Sequence, residues 1–279
     1  MSHGDLGTYD CVIVGGGPAG MTAALYLARF RRSVLLLDSG ASRARLIPQI
    51  RNLPGFPCGI PGSELLGLLR QQLAAYNVRS GGSLASAVRT SDQMFRVDTP
   101  EGWAIGRTIL LATGSLDISP DLEAHDEAVR DGLLRYCPVC DGYEVGGKRV
   151  GLLVTPEHAE TKAQFLRQFT DHLDVHIVEP GATARLERRG DKIAVPESPV
   201  VWDTVYAELG STPQSSLAAP CAIEMTSTGC ITVDNHQQTS RAGAYAAGDV
   251  VSGLDQITVA IGQAAIAATH IHNALLEVA

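Results

Sequence analysis

Cys137 and Cys140 stand two residues apart in the stretch LLRYCPVCDGYE, and an acid, Asp141, follows the second cysteine directly. Two thiols at this spacing do one of two kinds of chemistry. In thiol–disulfide exchange, one thiolate attacks a partner disulfide and the other resolves the mixed disulfide. In metal ligation, the pair is half of a zinc site, which needs two further ligands at suitable spacing. The other cysteines, Cys11, Cys58, Cys221 and Cys230, form no second C-x-x-C knuckle and read as structural thiols. No metal site is therefore expected. Redox exchange is the favoured chemistry, and two reduced thiols packed in a core are the plain alternative. Asp141 suits a general acid–base beside a thiol, or a residue capping a helix start.

A second constellation lies near the start. Gly15, Gly17 and Gly20 spell G-x-G-x-x-G between the apolar run CVIV and a stretch of good helix formers, with Pro18 and Ala19 in the first helical turn. In that context the first glycine allows a tight turn, the second lets backbone approach a pyrophosphate, and the third lets helix and strand pack closely. The helix start offers N–H groups and the positive end of a dipole to phosphate. Asp38, eighteen residues beyond Gly20 at the end of the next apolar run VLLL, suits a ribose 2′-OH. Two further strand ends, Ala112-Thr113-Gly114 and Gly248-Asp249, carry small residues where backbone can come close to a cofactor, with Asp249 available to a polyol. These features predict a dinucleotide site without distinguishing FAD from NAD.

The elements that position these residues read as alternating strand and helix. A helix is expected over 63–76, short antiparallel runs over 84–111, a second strand–helix–strand unit over 150–178, further strand signals over 193–206, and a long Ala- and Ile-rich helix over 256–277. The stretch from Ser39 to Gly62 reads as a long loop. The layout implies a first domain of residues 1–114 and 210–279, with a smaller unit, 115–209, inserted. With 279 residues, 45% of them hydrophobic, the chain can bury a sizeable core. A net charge of -8 with no long basic run argues against nucleic-acid binding. No run of about 18 apolar residues occurs, so a soluble, cytoplasmic protein with no membrane partner is expected.

VGGGPAGMTAALYLAR, the ATG at 112–114, CPVCDGYE, and AGDV followed by QITVAIGQAA occur in the order found in thioredoxin reductases of the low-molecular-weight flavoprotein type, which the chain resembles over nearly its whole length. The resemblance implies an α/β fold of two Rossmann-like three-layer ββα domains, the second small and inserted into the first. It implies FAD in the first site. Gly15, Gly17, Gly20 and Asp38 would contact its ADP part and Asp249 its ribitol, while Gln256 and Ile257 would lie at the flavin. It places the dithiol at a helix start, where the dipole favours thiolate. It makes Cys137 the exchanging thiol, Cys140 the sulfur facing the flavin, and Asp141 its proton carrier. It also implies a homodimer whose partner is a thioredoxin-like protein or a small disulfide.

NADPH-dependent members of that family carry a second G-x-G-x-x-[GA] in the inserted domain. Here the equivalent stretch is VGLLVTPEHAETKAQFL, with no glycine between Thr155 and Leu166. Thr155 reads as an N-cap and Pro156 as a first-turn residue, with Glu157 and Glu160 flanking the helix start where a pyrophosphate would sit. The strand that should precede a 2′-phosphate reader ends in Glu179, and RLERR at 185–189 reads as a solvated loop. The chain therefore resembles the branch without pyridine-nucleotide binding, whose members take electrons from ferredoxin or carry a second flavin. A second flavin or other small molecule in the nucleotide cleft is an open expectation; NAD(P)H use is not expected. Competing readings are an NADPH-dependent reductase with a divergent loop, an oxygen-using dithiol oxidase, and a flavin-binding redox sensor. His270 and His272 read as surface residues.

Overall fold

The computed structural model describes residues 4–82, 84–91 and 93–277. The chain divides into two compact units. The first comprises the chain as far as Arg45, Ser63–Leu116, and from Thr212 onward; the second comprises Leu46–Gly62 and Asp117–Ser211. The segment Leu46–Gly62, which the sequence layout assigns to the first domain, thus groups with the second. Its ends are closed by an antiparallel bridge between Ile50 and Ile60, and Leu46 packs on the second unit's core.

The chain runs Gly4–Val14 (β1), Pro18–Arg29 (α1), Val34–Leu37 (β2), Gly62–Leu73 (α2), Val78–Gly81 (β3), Ala87–Ser91 (β4), Met94–Thr99 (β5) and Gly102–Leu111 (β6). Then come Ser115–Asp117 (β7), His125–Arg130 (α3), Leu134–Arg135 (β8), Pro138–Asp141 (α4), Val150–Val154 (β9), Ala159–Leu166 (α5) and Leu173–Ile177 (β10). Glu187–Arg189 (β11), Lys192–Ala194 (β12), Thr204–Glu208 (β13), Ser211–Pro213 (β14), Ala244–Ala246 (β15) and Ile257–Glu277 (α6) complete it.

The first unit's sheet has the order β3-β2-β1-β6-β5-β4, with β15 beside β6. On its edge away from β1, β6 serves two partners: residues 102–106 pair antiparallel with β5, while Ile109–Leu111 pair parallel with β15. β1, β2, β3, β6 and β15 all run parallel. The CVIV and VLLL runs are buried throughout because both faces of a parallel strand are covered. In α6, Ala260, Ala264, Ala267, Ala268, Ile271 and Leu275 form a buried stripe, and the helix packs on α1. Helix α6 is the one described helix long and apolar enough to cross a membrane, and this stripe accounts for its apolar character as a core helix does. His270 and His272 are engaged rather than free surface: His270 Nδ1 shares a hydrogen bond with Tyr245 Oη at 2.9 Å, and His272 stacks on Phe30 and accepts from Arg32 at 3.0 Å.

The second unit holds a four-stranded parallel sheet, β10-β9-β13-β8, over a core containing Trp202, Leu153 and Val205. The RLERR stretch is not a loop. Its last three residues form β11, paired in a hairpin with β12. Arg188 pairs with Asp131 at 2.7 Å, Arg185 with Asp121 at 3.2 Å, and Arg189 with Glu187.

Candidate dinucleotide cradle and redox dithiol

In the first unit, the predicted cofactor residues gather at the carboxyl ends of β1, β2, β6 and β15, where open parallel sheets bind ligands. Gly15 turns the chain out of β1 with φ +109°, and its N–H donates to Leu37 O at 2.8 Å. A Cβ there would lie 2.1 Å from Ala112 O; one at Gly20 would lie 1.8 Å from Gly15 O. Among the described residues, the one atom within 4 Å of a Cβ at Gly17 is Ser42 Oγ at 3.4 Å. Gly15 and Gly20 therefore close the strand–turn–helix packing, whereas Gly17 leaves its backbone open to a bound group. Gly17 is the N-cap of α1, Pro18 is its first residue, and Ala19 is buried in the first turn; no side chain caps the helix and no acid lies in that turn. The first-turn N–H groups remain for an anion. Gly16, which the sequence reading passed over, is needed too: a Cβ there would lie 2.1 Å from Asp38 Cγ.

Asp38 accepts from Gly40 N at 2.9 Å, and Arg70 lies 3.6 Å from its other oxygen. Ala112 N donates to Val14 O at 2.8 Å, Thr113 Oγ1 to Gln214 O at 2.6 Å, and Gly114 takes φ +71°. Gly248 N donates to Gln263 Oε1 at 2.8 Å. Gln256 O accepts the Ala260 N–H at 2.9 Å, and Ile257 opens α6. The cradle fits a dinucleotide: uncapped helix N–H groups, open backbone at Gly17, and carboxylates at Asp38 and Asp249.

One cation in this cradle had no sequence signal. Arg43 Nη1 lies 3.2 Å from Asp249, 3.4 Å from Ser115 Oγ and 3.9 Å from Asp255. It thereby joins the loop after β2 to the ends of β6 and β15. If the cradle takes the FAD that the resemblance implies, an Arg43→Gln protein should bind it roughly tenfold more weakly, because Asp249 loses the charge-assisted contact that holds it in place. Titrating flavin-stripped protein with FAD by fluorescence quenching checks this, and an unchanged dissociation constant refutes it.

In the second unit, Cys137 and Cys140 are joined by a disulfide, with Cα atoms 5.3 Å apart. Cys137 is the N-cap of α4, and Cys140 N donates to Cys137 Sγ at 3.1 Å. In the reduced pair, such a donor favours thiolate on Cys137. A cavity of about 290 Å³ opens beside Cys140, lined by Val139, Tyr143, Phe165 and Phe169 among others. Cys11, Cys58, Cys221 and Cys230 form no disulfide. Burial pushes Cys11 up to about 12 and raises Cys221, so both stay thiols, while Cys58 is exposed. Among the described residues, no group of three or more His, Cys, Asp or Glu could hold a metal ion.

Asp141 is gripped from two sides. Arg135 pairs with Oδ2, and Tyr206 Oη donates to Oδ1 at 2.8 Å and to the Asp141 carbonyl at 3.1 Å. Neither partner was legible in the sequence. Tyr206 falls at the end of the strand signals over 193–206, and nothing in the sequence singles out Arg135.

The second nucleotide-like turn differs from the first. After β9 the chain makes a 3₁₀ turn, Pro156–His158, before α5 begins at Ala159 and ends at Leu166, inside the strand–helix–strand unit expected over 150–178. Thr155 holds the N-cap position in extended conformation, but its side chain makes no cap hydrogen bond, correcting the expected Thr155 cap. The anion there is Glu157. Its own backbone N–H, then the Thr155 hydroxyl, hold its carboxyl below the usual range.

The profile of the pyridine nucleotide-disulphide oxidoreductases matches residues 9–155 and 149–264. The chain is similar to thioredoxin reductase of Aquifex aeolicus, 27% identical over 279 residues, covering 87% of this chain and 85% of that protein. It is also similar to thioredoxin reductase of Treponema pallidum, at 26% identity over 93% and 95% of the two chains. The solved thioredoxin reductase from Streptococcus pyogenes superposes with a TM-score of 0.85 at 26% identity, covering 97% of this chain and 99% of that one. The match spans both units and includes the bonded cysteine pair, so the chain belongs to the pyridine nucleotide-disulphide oxidoreductase family and is thioredoxin-reductase-like within it.

Proposed function

We propose that this protein is an FAD-dependent thiol–disulfide oxidoreductase that does not use NAD(P)H. Bound FAD supplies the two-electron redox centre. The Gly15–Gly20 turn and the start of α1 hold its diphosphate, Asp38 the ribose, and Asp249 with Arg43 the ribityl region, while Ala112–Gly114, Gly248, Gln256 and Ile257 frame the ring. Cys137, the thiolate favoured by the Cys140 N–H, attacks a partner disulfide. Cys140 then displaces the partner from the mixed disulfide, so that one dithiol and one disulfide become one disulfide and two thiols. Cys140 is the sulfur that exchanges electrons with the flavin, and Asp141 carries the accompanying proton. The partner is a thioredoxin-like protein or a small disulfide, the electron donor is something other than NAD(P)H, and the protein acts as a cytoplasmic homodimer.

The observation that carries the exclusion of NAD(P)H is Glu157. Its carboxylate stands in the first turn of the 3₁₀ segment after β9, with Glu160 in the first turn of α5 and no glycine between Thr155 and Leu166, whereas the first site's helix start is uncapped and free of acid. Two like charges about 4 Å apart repel by roughly 1 kcal/mol even in water. The arginines of RLERR, the nearest candidates for a 2′-phosphate, are each paired with a carboxylate.

Anaerobic mixing with excess NADPH or NADH should leave the flavin absorbance unchanged over seconds, while dithionite bleaches it. Rapid bleaching by NADPH would establish instead the NADPH-dependent reductase with a divergent loop.

A further inference from the structure

Strands β8 and β13 pair in parallel with Leu134 opposite Val205 and Arg135 opposite Tyr206. Arg135 and Tyr206 are therefore neighbours across a sheet, and both reach the same carboxylate at the end of the cysteine turn. Each is itself held. Arg135 has a side chain only 13% exposed and donates through Nε to Thr204 Oγ1 at 3.0 Å, and Thr204 donates onward to Gly132 O at 2.8 Å. Tyr206 is fully buried. Burial first, then the neighbouring Asp141 charge, push its phenol well above the ordinary range, with Arg135 opposing and Glu144 adding to the rise. Its hydroxyl thus stays protonated and can only donate to a carboxylate at working pH.

We infer that Arg135 and Tyr206 are positioning residues that lock the Asp141 carboxylate in place beside the dithiol, so that the sheet of the inserted unit serves as the anchor of the proton-transfer group. This rests on the reading of Asp141 as proton carrier. A partly buried ion pair adds little to stability, because desolvation offsets much of its attraction; what it offers here is orientation. With both oxygens engaged, the carboxylate keeps one orientation relative to the adjoining Cys140 backbone, and a proton leaving a cysteine thiol meets a fixed acceptor. The same step reversed returns the proton when the thiol re-forms. The groups acting on this carboxylate and its phenol donor are Arg135 from β8, Tyr206 from β13 and Glu144 from the turn after α4.

The test uses the flavin-loaded protein, reduced anaerobically with two equivalents of dithionite, one for the flavin and one for the disulfide, and mixed with oxidised lipoate. The rate of flavin reoxidation is followed from pH 5 to 9 in wild type, Asp141→Asn, Tyr206→Phe, Arg135→Gln and Arg135→Lys. Asp141→Asn should lose about a hundredfold in rate, the low end for a lost general acid–base. Tyr206→Phe keeps the ring in the core, so its melting temperature and visible spectrum should stay near wild type. Its rate should nonetheless fall about tenfold, a fraction of that acid–base contribution, with a displaced pH profile. Arg135→Gln should behave alike and Arg135→Lys recover most of the rate. If Asp141→Asn is slow while Tyr206→Phe and both Arg135 variants follow the wild-type pH profile, the lock is wrong and the role of Asp141 stands. If Asp141→Asn is as fast as wild type, the proton-carrier reading fails and the lock with it. Should Arg135→Gln not fold, the comparison of Tyr206→Phe with Arg135→Lys decides alone.

Discussion

A Gly15→Ala protein is expected to emerge colourless and to melt roughly 10 °C lower than wild type, whereas Gly17→Ala emerges equally colourless but melts at the wild-type temperature. The contrast follows from what each new methyl group meets. At Gly15, φ is +109°, a conformation that costs an L-residue about 1–3 kcal/mol. The methyl would also sit 2.1 Å from the Ala112 carbonyl oxygen. That carbonyl belongs to backbone and cannot rotate away, so β1 and β6 must part where Ala112 N bonds Val14 O. Strain and lost pairing together reach roughly 3–5 kcal/mol, and each kcal/mol is about 2–4 °C for a unit of this size. At Gly17 the methyl meets one movable hydroxyl at 3.4 Å, so the fold has no reason to suffer. What it removes is the space a diphosphate needs against the helix start. Differential scanning fluorimetry and the ratio of absorbance at 450 nm to 280 nm, measured on both proteins, decide the matter. A yellow Gly17→Ala protein would show that the diphosphate does not lie there.

Replacing Cys140 with Ser should abolish disulfide turnover, by at least about a thousandfold, while leaving flavin content and melting temperature intact. A hydroxyl forms no disulfide, so a mixed disulfide on Cys137 can no longer be resolved internally. The half-buried site demands no large repacking, since sulfur and oxygen differ little in volume there. Cys137→Ser should be equally inactive toward the partner for a different reason: it removes the sulfur that receives the Cys140 N–H at 3.1 Å. Turnover of oxidised lipoate by dithionite-reduced protein measures both. Activity within about threefold of wild type in Cys140→Ser would mean that the pair only reports redox state, as in a flavin-binding sensor.

Much of this protein was legible before any coordinates. The G-x-G-x-x-G turn, its flanking strands, Asp38, the two glycine-ended strands and the C-x-x-C with its acid all rest on short-range rules. A tight turn needs glycine, a helix start attracts anions, and exchange chemistry needs two nearby thiols. The missing glycines after β9 belong to the same class. The misreadings arose where local pattern met tertiary demand. Thr155 has the residue type of an N-cap, yet the backbone tightens into a 3₁₀ turn and its side chain makes no cap hydrogen bond. RLERR reads as solvated, but β12 offers it a partner strand, and Asp121, Asp131 and its own Glu187 pair its arginines. Leu46–Gly62 is continuous in sequence with the first domain, yet Leu46 finds its apolar neighbours in the second.

The order of residues along the chain thus determined which chemistry is available: a dinucleotide turn, a dithiol and a candidate proton carrier, each written in a few adjacent letters. Which side chains hold that chemistry in place was decided only by tertiary structure. Arg135 meets Tyr206 because β8 and β13 lie in one register, and Arg43 meets Asp249 because strands distant in sequence end side by side. Pairing between remote segments depends on the cooperative burial of a whole sheet, and no local window of sequence contains that sum.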